Sequence, residues 1–311
     1  MRIVLLGGTG FIGSHFASLC QTSANIVIVS RHAPLEADRL GGATYVQGDC
    51  ASQDFLRQVI QPDDHVVYLA YNSVPKTSFD DPLRDIQENL PLAISLLTVL
   101  REVRVQRLLY VSSGGTVYGP TDADVPIAED HPTHPISPYG ITKLAVEKYC
   151  QMYARLFDIP VVIARPSNPF GPGQLPYRGQ GFIATAIVKI LSGEEIPVFG
   201  EHGTVRDYLY IEDLCAALKT LLVSPIEPGA VFNIGSEIGM NNLEVLHAVA
   251  TAVGISPSEM KLNFLPMRAF DVTYNVLDSS KLKALGWRRT TDLGQGLPAT
   301  IRWMGKRLGA A

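Results

Sequence analysis

Gly7-Gly8-Thr9-Gly10-Phe11-Ile12-Gly13 stands directly after the apolar run Arg2–Leu6 and opens a helical stretch over 11–21. The glycines read as G-x-x-G-x-x-G from Gly7 or as G-x-G-x-x-G from Gly8. A pyrophosphate needs this order of parts: a tight turn, a backbone that admits close approach, and a helix N-terminus whose free N–H groups attract the anion. A glycine string alone also serves purely structural turns. Between a strand and a helix, beginning at residue 7, it points to a dinucleotide.

The same alternation continues outward from the motif. Residues 25–30, 45–47, 65–70, 107–111 and 160–164 read as buried strands, and 53–60, 82–103 and 139–157 as helices. Strand–helix repetition of this kind predicts an α/β fold, a doubly wound parallel sheet covered on both faces. After Arg165 the pattern loosens, and 166–181, rich in Pro and Gly, predicts a long loop. Beyond it the spacing predicts helices over 182–192 and 211–223, a strand over 196–199, and helices over 241–253 and 279–285. This second part reads as a smaller lobe at the carboxyl edge of the sheet, where doubly wound folds bind ligands.

Composition narrows the function. Of 311 residues, 46% are apolar and 18% charged, and 26 Lys and Arg against 30 Asp and Glu leave a net charge of −4. Without basic clusters there is no phosphate-neutralising groove for nucleic acid and no polybasic membrane patch. The four cysteines, Cys20, Cys50, Cys150 and Cys215, include no C-x-x-C and are expected as reduced thiols. His131 and His134 form the only close histidine pair, in a Pro-rich stretch that reads as a loop, so no metal site is expected. The longest apolar run, 90–100, falls short of the ~20 residues of a bilayer span. A cytoplasmic protein is the expectation.

The second strand ends Val29-Ser30-Arg31. No carboxylate is present there to take the ribose 2′-hydroxyl of NAD, and an Arg suits the 2′-phosphate of NADP, so NADP(H) is favoured over NAD. Asp49, after the third strand, suits the adenine amino group, although Asp in that place also makes turns. Tyr139 and Lys143 stand four apart and share a helix face. A phenol with a reference pKa of about 10 is a poor base unless a cation stabilises its phenolate, and Lys143 is placed to do that. Upstream, Ser112-Ser113-Gly114-Gly115-Thr116 ends a strand with a cluster of hydroxyls, which elsewhere would simply satisfy a loop backbone.

Taken in order, GGTGFIG, Gly48-Asp49, YLAYNSV from Tyr68, Asn89, SSGGTVYG, SPYGITK, RPSNPFGPGQ from Arg165, VFG at Val198, VRDYLYIEDL from Val205, NIGS at Asn233, Arg268 with Asp271, and LDSSK run nearly end to end along the chain. In this the sequence resembles the extended short-chain dehydrogenase/reductase family, and within it the nucleotide-sugar epimerases like UDP-glucose 4-epimerase. The resemblance implies a Rossmann domain of 1–165 plus about 206–235, and a nucleotide-sugar lobe of about 166–205 and 236–311. It implies Tyr139 as acid/base, Lys143 on the nicotinamide ribose, and Ser113 and Thr116 as assisting hydroxyls. Cofactor contacts would fall on Gly7, Gly10, Phe11, Ile12, Gly13, Ser30, Arg31, Asp49, Cys50, Leu69, Ala70, Tyr71, Asn89, Val111 and Pro166, besides Tyr139 and Lys143. Asn89 would help to place the lysine. The sugar nucleotide, a UDP-sugar above all, would meet Ser113, Thr116, Tyr139, Asn168, Gln180, Phe182, Val198, Phe199, Arg206, Arg268, Asp271 and Asn275. A homodimer through helices 82–103 and 139–157, and a place in polysaccharide biosynthesis, are implied as well.

Three positions depart from the family pattern. Gly114 stands where a catalytic Ser or Thr is usual, Ser30 where an Asp is frequent, and Asn275 where a Tyr often limits the sugar's C2 substituent. The favoured function is an NAD(P)-dependent 4-epimerase of a nucleotide sugar, working through a transient 4-keto sugar. A nucleotide-sugar 4-ketoreductase that consumes NADPH is the alternative suggested by Ser30 and Arg31. A non-catalytic binding protein is the alternative suggested by Gly114. Dehydratase relatives carry Asp and Glu where this chain has Gly115 and Thr116.

Overall fold

Ile3, Val4, Leu5 and Leu6 of strand β1 (Arg2–Leu6) are all fully buried, as an apolar run in the middle of a parallel sheet must be. Successive side chains of a strand point to opposite faces. Ile3 and Leu5 therefore join one core with Phe16 and Cys20 of helix α1 (Phe11–Cys20). Val4 and Leu6 join a second core on the other face. In the computed structural model, residues 1–36, 39–121, 125–267 and 272–308 are described.

The chain continues through β2 (Asn25–Ser30), β3 (Thr44–Gln47), α2 (Gln53–Val59), β4 (His65–Tyr68), α3 (Pro75–Asp80), α4 (Pro82–Leu100), β5 (Arg107–Val111), α5 (Gly114–Val117), α6 (Pro138–Phe157) and β6 (Val161–Pro166). Next come β7 (Asn168–Phe170), α7 (Phe182–Leu191), β8 (Ile196–Phe199), β9 (Val205–Tyr210), α8 (Ile211–Val223) and β10 (Val231–Ile234). The chain closes with β11 (Gly239–Met240), α9 (Asn242–Ala252), β12 (Leu262–Leu265), β13 (Tyr274–Asn275), α10 (Ser280–Ala284) and α11 (Leu293–Leu308).

Seven strands pair in parallel in the order β10-β6-β5-β4-β1-β2-β3. This is a doubly wound Rossmann-type sheet, with α2, α4 and α6 on one face and α1 and α8 on the other. The strand order reverses between β1 and β4, which opens a crevice at their carboxyl ends. α4 and α6 are started by side chains: Asp81 accepts from the Arg84 amide and Ser137 from the Gly140 amide, each ahead of a first-turn proline.

The second part is built around β9, which pairs in parallel with β7 and β13 and antiparallel with β11. β8 and β12 form a separate parallel pair. Two expectations change here. Residues 166–181 are not loop throughout, because Asn168–Phe170 extends to pair with Tyr208–Tyr210. The structure also adds α3, α5, β9, β10 and the helix α11 to the elements that the sequence predicts. α11 contains three glycines and Pro298, yet it begins with a reciprocal cap in which Asp292 accepts from the Gln295 amide and Gln295 from the Asp292 amide. Among the described residues no helix is long and apolar enough to cross a membrane.

Candidate active site

The glycine turn lies at the carboxyl end of β1. Gly7 has φ +84°, and a Cβ there would stand 2.7 Å from the Ala70 Cα; one on Gly13 would stand 2.6 Å from the Gly8 Cα. Gly10 is the N-cap of α1 and supplies no side-chain cap, so the first-turn amides remain for an anion. Leu69 is hydrogen-bonded through its amide to the Leu6 carbonyl, which fixes Leu69 and Ala70 beside the turn. Phe11 and Ile12 are half-buried at the start of α1.

At the adenosine end, Ser30 spends its hydroxyl on the His32 carbonyl, 2.7 Å away, while Arg31 is exposed. A cavity of about 320 Å³ opens there, bordered by Ser30, Pro34, Arg39, Tyr45 and Gln47. Asp49 accepts from the Ala51 amide at 2.9 Å, so its carboxylate forms a turn, the plainer of its two expected roles. Cys50 is buried, and burial raises its thiol to about 11.

At the other end of the crevice, α6 presents Tyr139 and Lys143. Tyr139 is 8% exposed and Lys143 4%. Burial drives the Tyr139 phenol well above its ordinary value; contacts with Gln180 and Ser113 lower it, and the Asp85 carboxylate raises it further. Burial lowers the Lys143 ammonium to about 7, against the opposing pull of Glu147 and Asp85. Lys143 donates to the Val111 carbonyl at 2.9 Å, one of its three donors, and sits 4.0 Å from the Tyr71 ring centre and 5.7 Å from that of Tyr139. Tyr71 meets Tyr139 edge-on at 5.0 Å. Its hydroxyl lies beside Thr142 without completing a hydrogen bond.

Asn89 makes no direct bond to Lys143. It accepts from the Asn72 amide and donates to the Asp85 carbonyl and the Ser73 hydroxyl, so it orders the segment after β4. The reason is reach: Asn89 is one turn from Asp85 on α4, whereas Lys143 projects toward β5.

Register then brings the sugar-side residues together. Asn168 is opposite Tyr208 and Asn275 opposite Arg206 along β9. Asn168 donates to the Asp207 carbonyl at 3.1 Å, and Asn275 to the Gly114 carbonyl at 3.1 Å. A Cβ on Gly115 would sit 3.8 Å from Asn168 Oδ1 and 4.0 Å from Asn275 Oδ1, so both amide oxygens face that glycine. Asn275 Oδ1 and Thr116 Oγ1 are buried without a hydrogen-bond partner. Orphaned polar atoms of this kind suit a hydroxylated ligand.

Gly114 has a steric explanation. A Cβ there would stand 2.4 Å from Leu277 Cδ1 and 3.0 Å from the Arg165 carbonyl oxygen. A side chain there would have to displace the buried Leu277 methyl and crowd that carbonyl, which leaves Ser113 and Thr116 to offer hydroxyls.

One expected ligand contact changes. Val198 is fully buried in the main core, so its side chain packs instead of facing a ligand. Arg206 and Asp207 do not form an ion pair with each other: strand alternation separates them. Asp207 is buried and accepts from Ser236 and the Leu277 amide, while Arg206 is half-buried. Phe182 begins α7 against the core, Phe199 ends β8 half-buried, and Pro166 ends β6. Arg268 and Asp271 lie outside the described residues.

Sequence reading missed Asp85, Ser73 and Thr142, which join α4, α6 and the segment after β4. It also missed the buried pair Glu147–Arg165 behind Lys143. Asp85 sits among polar neighbours in a helix, where nothing local marks it as buried.

Known proteins resemble this chain along most of its length. The family model described as NAD dependent epimerase/dehydratase matches residues 3–235. The low-salt glycan biosynthesis protein Agl12 of Haloferax volcanii is 31% identical over 310 residues, 97% of each chain. The UDP-glucose 4-epimerase of Mycolicibacterium smegmatis is 30% identical over 312 residues, covering 97% of this chain and 98% of that one. The solved structure of UDP-glucose 4-epimerase from Thermus thermophilus in complex with NAD superposes with a TM-score of 0.90 at 29% identity, over 98% of this chain and 99% of that one.

Proposed function

The chain belongs to the NAD dependent epimerase/dehydratase family, and from that premise we propose that it is a 4-epimerase of a nucleotide-diphosphate sugar, a UDP-hexose above all. The observation that carries this reading is the buried Tyr139–Lys143 pair together with the orphaned buried oxygens of Thr116 and Asn275.

The residues fit a nicotinamide dinucleotide, since Gly7 and Gly13 let the turn close tightly against Ala70 and Gly8, and Gly10 leaves the α1 N-terminus without a side-chain cap. Gly10 and the first turn of α1 would hold its pyrophosphate, and Lys143 its nicotinamide ribose. When bound, the cofactor supplies reversible two-electron oxidation of the sugar carbon.

Tyr139 then holds and returns the proton of the sugar 4-hydroxyl. Lys143, charged and desolvated beside it, favours the phenolate. Ser113, already in contact with the phenol, steadies the proton transfer. Thr116 and Asn275 grip sugar hydroxyls while a 4-keto sugar turns over, and Asn168 and Arg206 hold the diphosphate side, where a guanidinium suits phosphate oxygens. Gly115 and Thr116 provide no carboxyl group for the acid/base work of elimination, which favours epimerisation over dehydration. Tyr139→Phe should lose at least ~100-fold in rate, the usual size of a general-base contribution, and keep its cofactor. An active Phe variant would sink the assignment.

At the adenosine end, Ser30 and Arg31 with the adjoining cavity support NADP(H), although the Thermus relative was solved with NAD. Identifying the dinucleotide released on denaturation separates the two: NAD would remove the role given to Arg31. The domain division into 1–165 plus about 206–235, with the remainder a sugar-nucleotide lobe, is part of the same proposal. So is a homodimer, supported by exposed Leu83 and Ile86 on α4 and Ile141 and Leu156 on the adjoining α6. Sedimentation at monomer mass would exclude it.

A further inference from the structure

Asp85 is 2% exposed, yet it stands on α4, one turn past the Pro82 start. Both carboxylate oxygens are held by hydroxyls from other segments. Thr142 of α6 donates to Oδ2 at 2.5 Å, and Ser73, after β4, donates to Oδ1. The Asn89 amide stands 3.4 Å from Oδ1. Among the described residues no cation forms a salt bridge with it. A carboxylate buried this deeply without a salt-bridge partner is costly unless a nearby positive charge balances it. A buried cation that feels this carboxylate is Lys143, which follows Thr142 in the chain.

We propose that Asp85 is the buried counter-charge and positioning residue of the Tyr139–Lys143 pair. This rests on the reading of Tyr139 and Lys143 given above. The groups facing this region are few. From the segment after β4 comes Tyr71, from β5 Tyr110, and from α6 Tyr139, Lys143 and Glu147. α3 contributes the Ser78 hydroxyl, which accepts from the Tyr139 amide, while its Lys76 and Asp80 are exposed. Glu147 is already neutralised by Arg165, through two short bonds from Nη2 and Nε. Glu147 still pulls on the Lys143 ammonium more strongly than Asp85 does, but Asp85 acts on Tyr139 as well and has no ion-pair partner among the described residues. It acts on both members in the same sense, raising the Tyr139 phenol and the Lys143 ammonium together. Removing its charge should therefore move both limbs of a pH–rate profile to lower pH. A purely structural role would lower the height of the profile without moving it.

The test is Asp85→Asn in the holoenzyme with oxidised dinucleotide bound. Tyr139 ionisation is followed by tyrosinate absorbance, as the difference from Tyr139→Phe in the same background. The Tyr139 midpoint should fall by about one pH unit, tenfold in its ionisation constant, with the thermal midpoint close to native. Thr142→Val, which removes a hydrogen bond and leaves the charge, should shift it far less. An unmoved midpoint in Asp85→Asn, or an equal shift in Thr142→Val, overturns the proposal. If Asp85→Asn does not fold, carboxyl carbon NMR of the native holoenzyme decides: Asp85 ionised across the active pH range supports it, and Asp85 protonated there refutes it. Failure of the Tyr139 assignment would show separately, as activity retained in Tyr139→Phe.

Discussion

Replacing Glu147 by Met should be among the most destabilising single changes in the chain, and the magnitude can be worked from its contacts. Its carboxylate is almost wholly buried and accepts from Ser112 at 2.5 Å and from Arg165 Nη2 at 2.6 Å and Nε at 3.0 Å. Arg165 then donates to the Tyr118 hydroxyl at 2.8 Å, which donates to Asn233 Oδ1 at 2.7 Å. Taking away one partner of a buried pair leaves the other charge stranded, a loss of ~3–5 kcal/mol. Against a total stability of about 5–15 kcal/mol that is a large share. Replacing both Glu147 and Arg165 by Met strands no charge and leaves only Ser112 and Tyr118 short of a partner, at about 1 kcal/mol each. The double variant should therefore be more stable than Glu147→Met alone. Urea unfolding followed by circular dichroism, with saturating dinucleotide in every sample, measures all three. A Glu147→Met loss under about 1 kcal/mol, or a double variant as weak as the sum of the singles, would refute the reasoning.

Three further outcomes follow from particular contacts. Gly114→Ser must push its Cβ into Leu277 and the Arg165 carbonyl, so it should lose ~1–3 kcal/mol and gain no activity; a stable, faster variant would show that the missing hydroxyl was only a vacant place. Lys143 has a folded value of about 7, below the ~10.4 of an unfolded lysine, so between those values the unfolded chain binds more protons and stability rises with pH. Lys143→Met in the cofactor-free protein should flatten that rise, and an unchanged slope on pH-dependent unfolding would contradict the burial assigned to the amine. Asn275, buried with one amide oxygen unpaired, should admit an N-acetyl group, giving comparable turnover of UDP-hexose and UDP-N-acetylhexosamine; strict preference for the plain hexose in a coupled assay argues against it.

The parts legible in the sequence were those encoded locally. β1, its glycine turn and α1 are contiguous, and their apolar periodicity and glycines carry the geometry without help from elsewhere. Tyr139 and Lys143 could be paired because a helix turns the spacing of four into proximity. Less was readable where long-range pairing decides. β7, β9 and β13 are two to six residues long and exist because they pair across distant stretches of chain. α11 was hidden by Pro298 and its glycines, although the Asp292–Gln295 cap was there to be read. Asp85 was unreadable, since its meaning depends on Thr142, 57 residues away. Gly114 looked like a lost catalytic group until Leu277 was found in its place.

The central claim is that the chain inverts a sugar carbon and regenerates its cofactor each cycle. The most direct measurement is proton NMR of UDP-glucose and UDP-galactose with freshly purified protein and no added dinucleotide. Interconversion of the two at C4, with the bound cofactor unchanged at equilibrium, is what the account predicts. Turnover only with added NADPH consumed in equal amount, or release of a 4-keto-6-deoxy sugar, would contradict it.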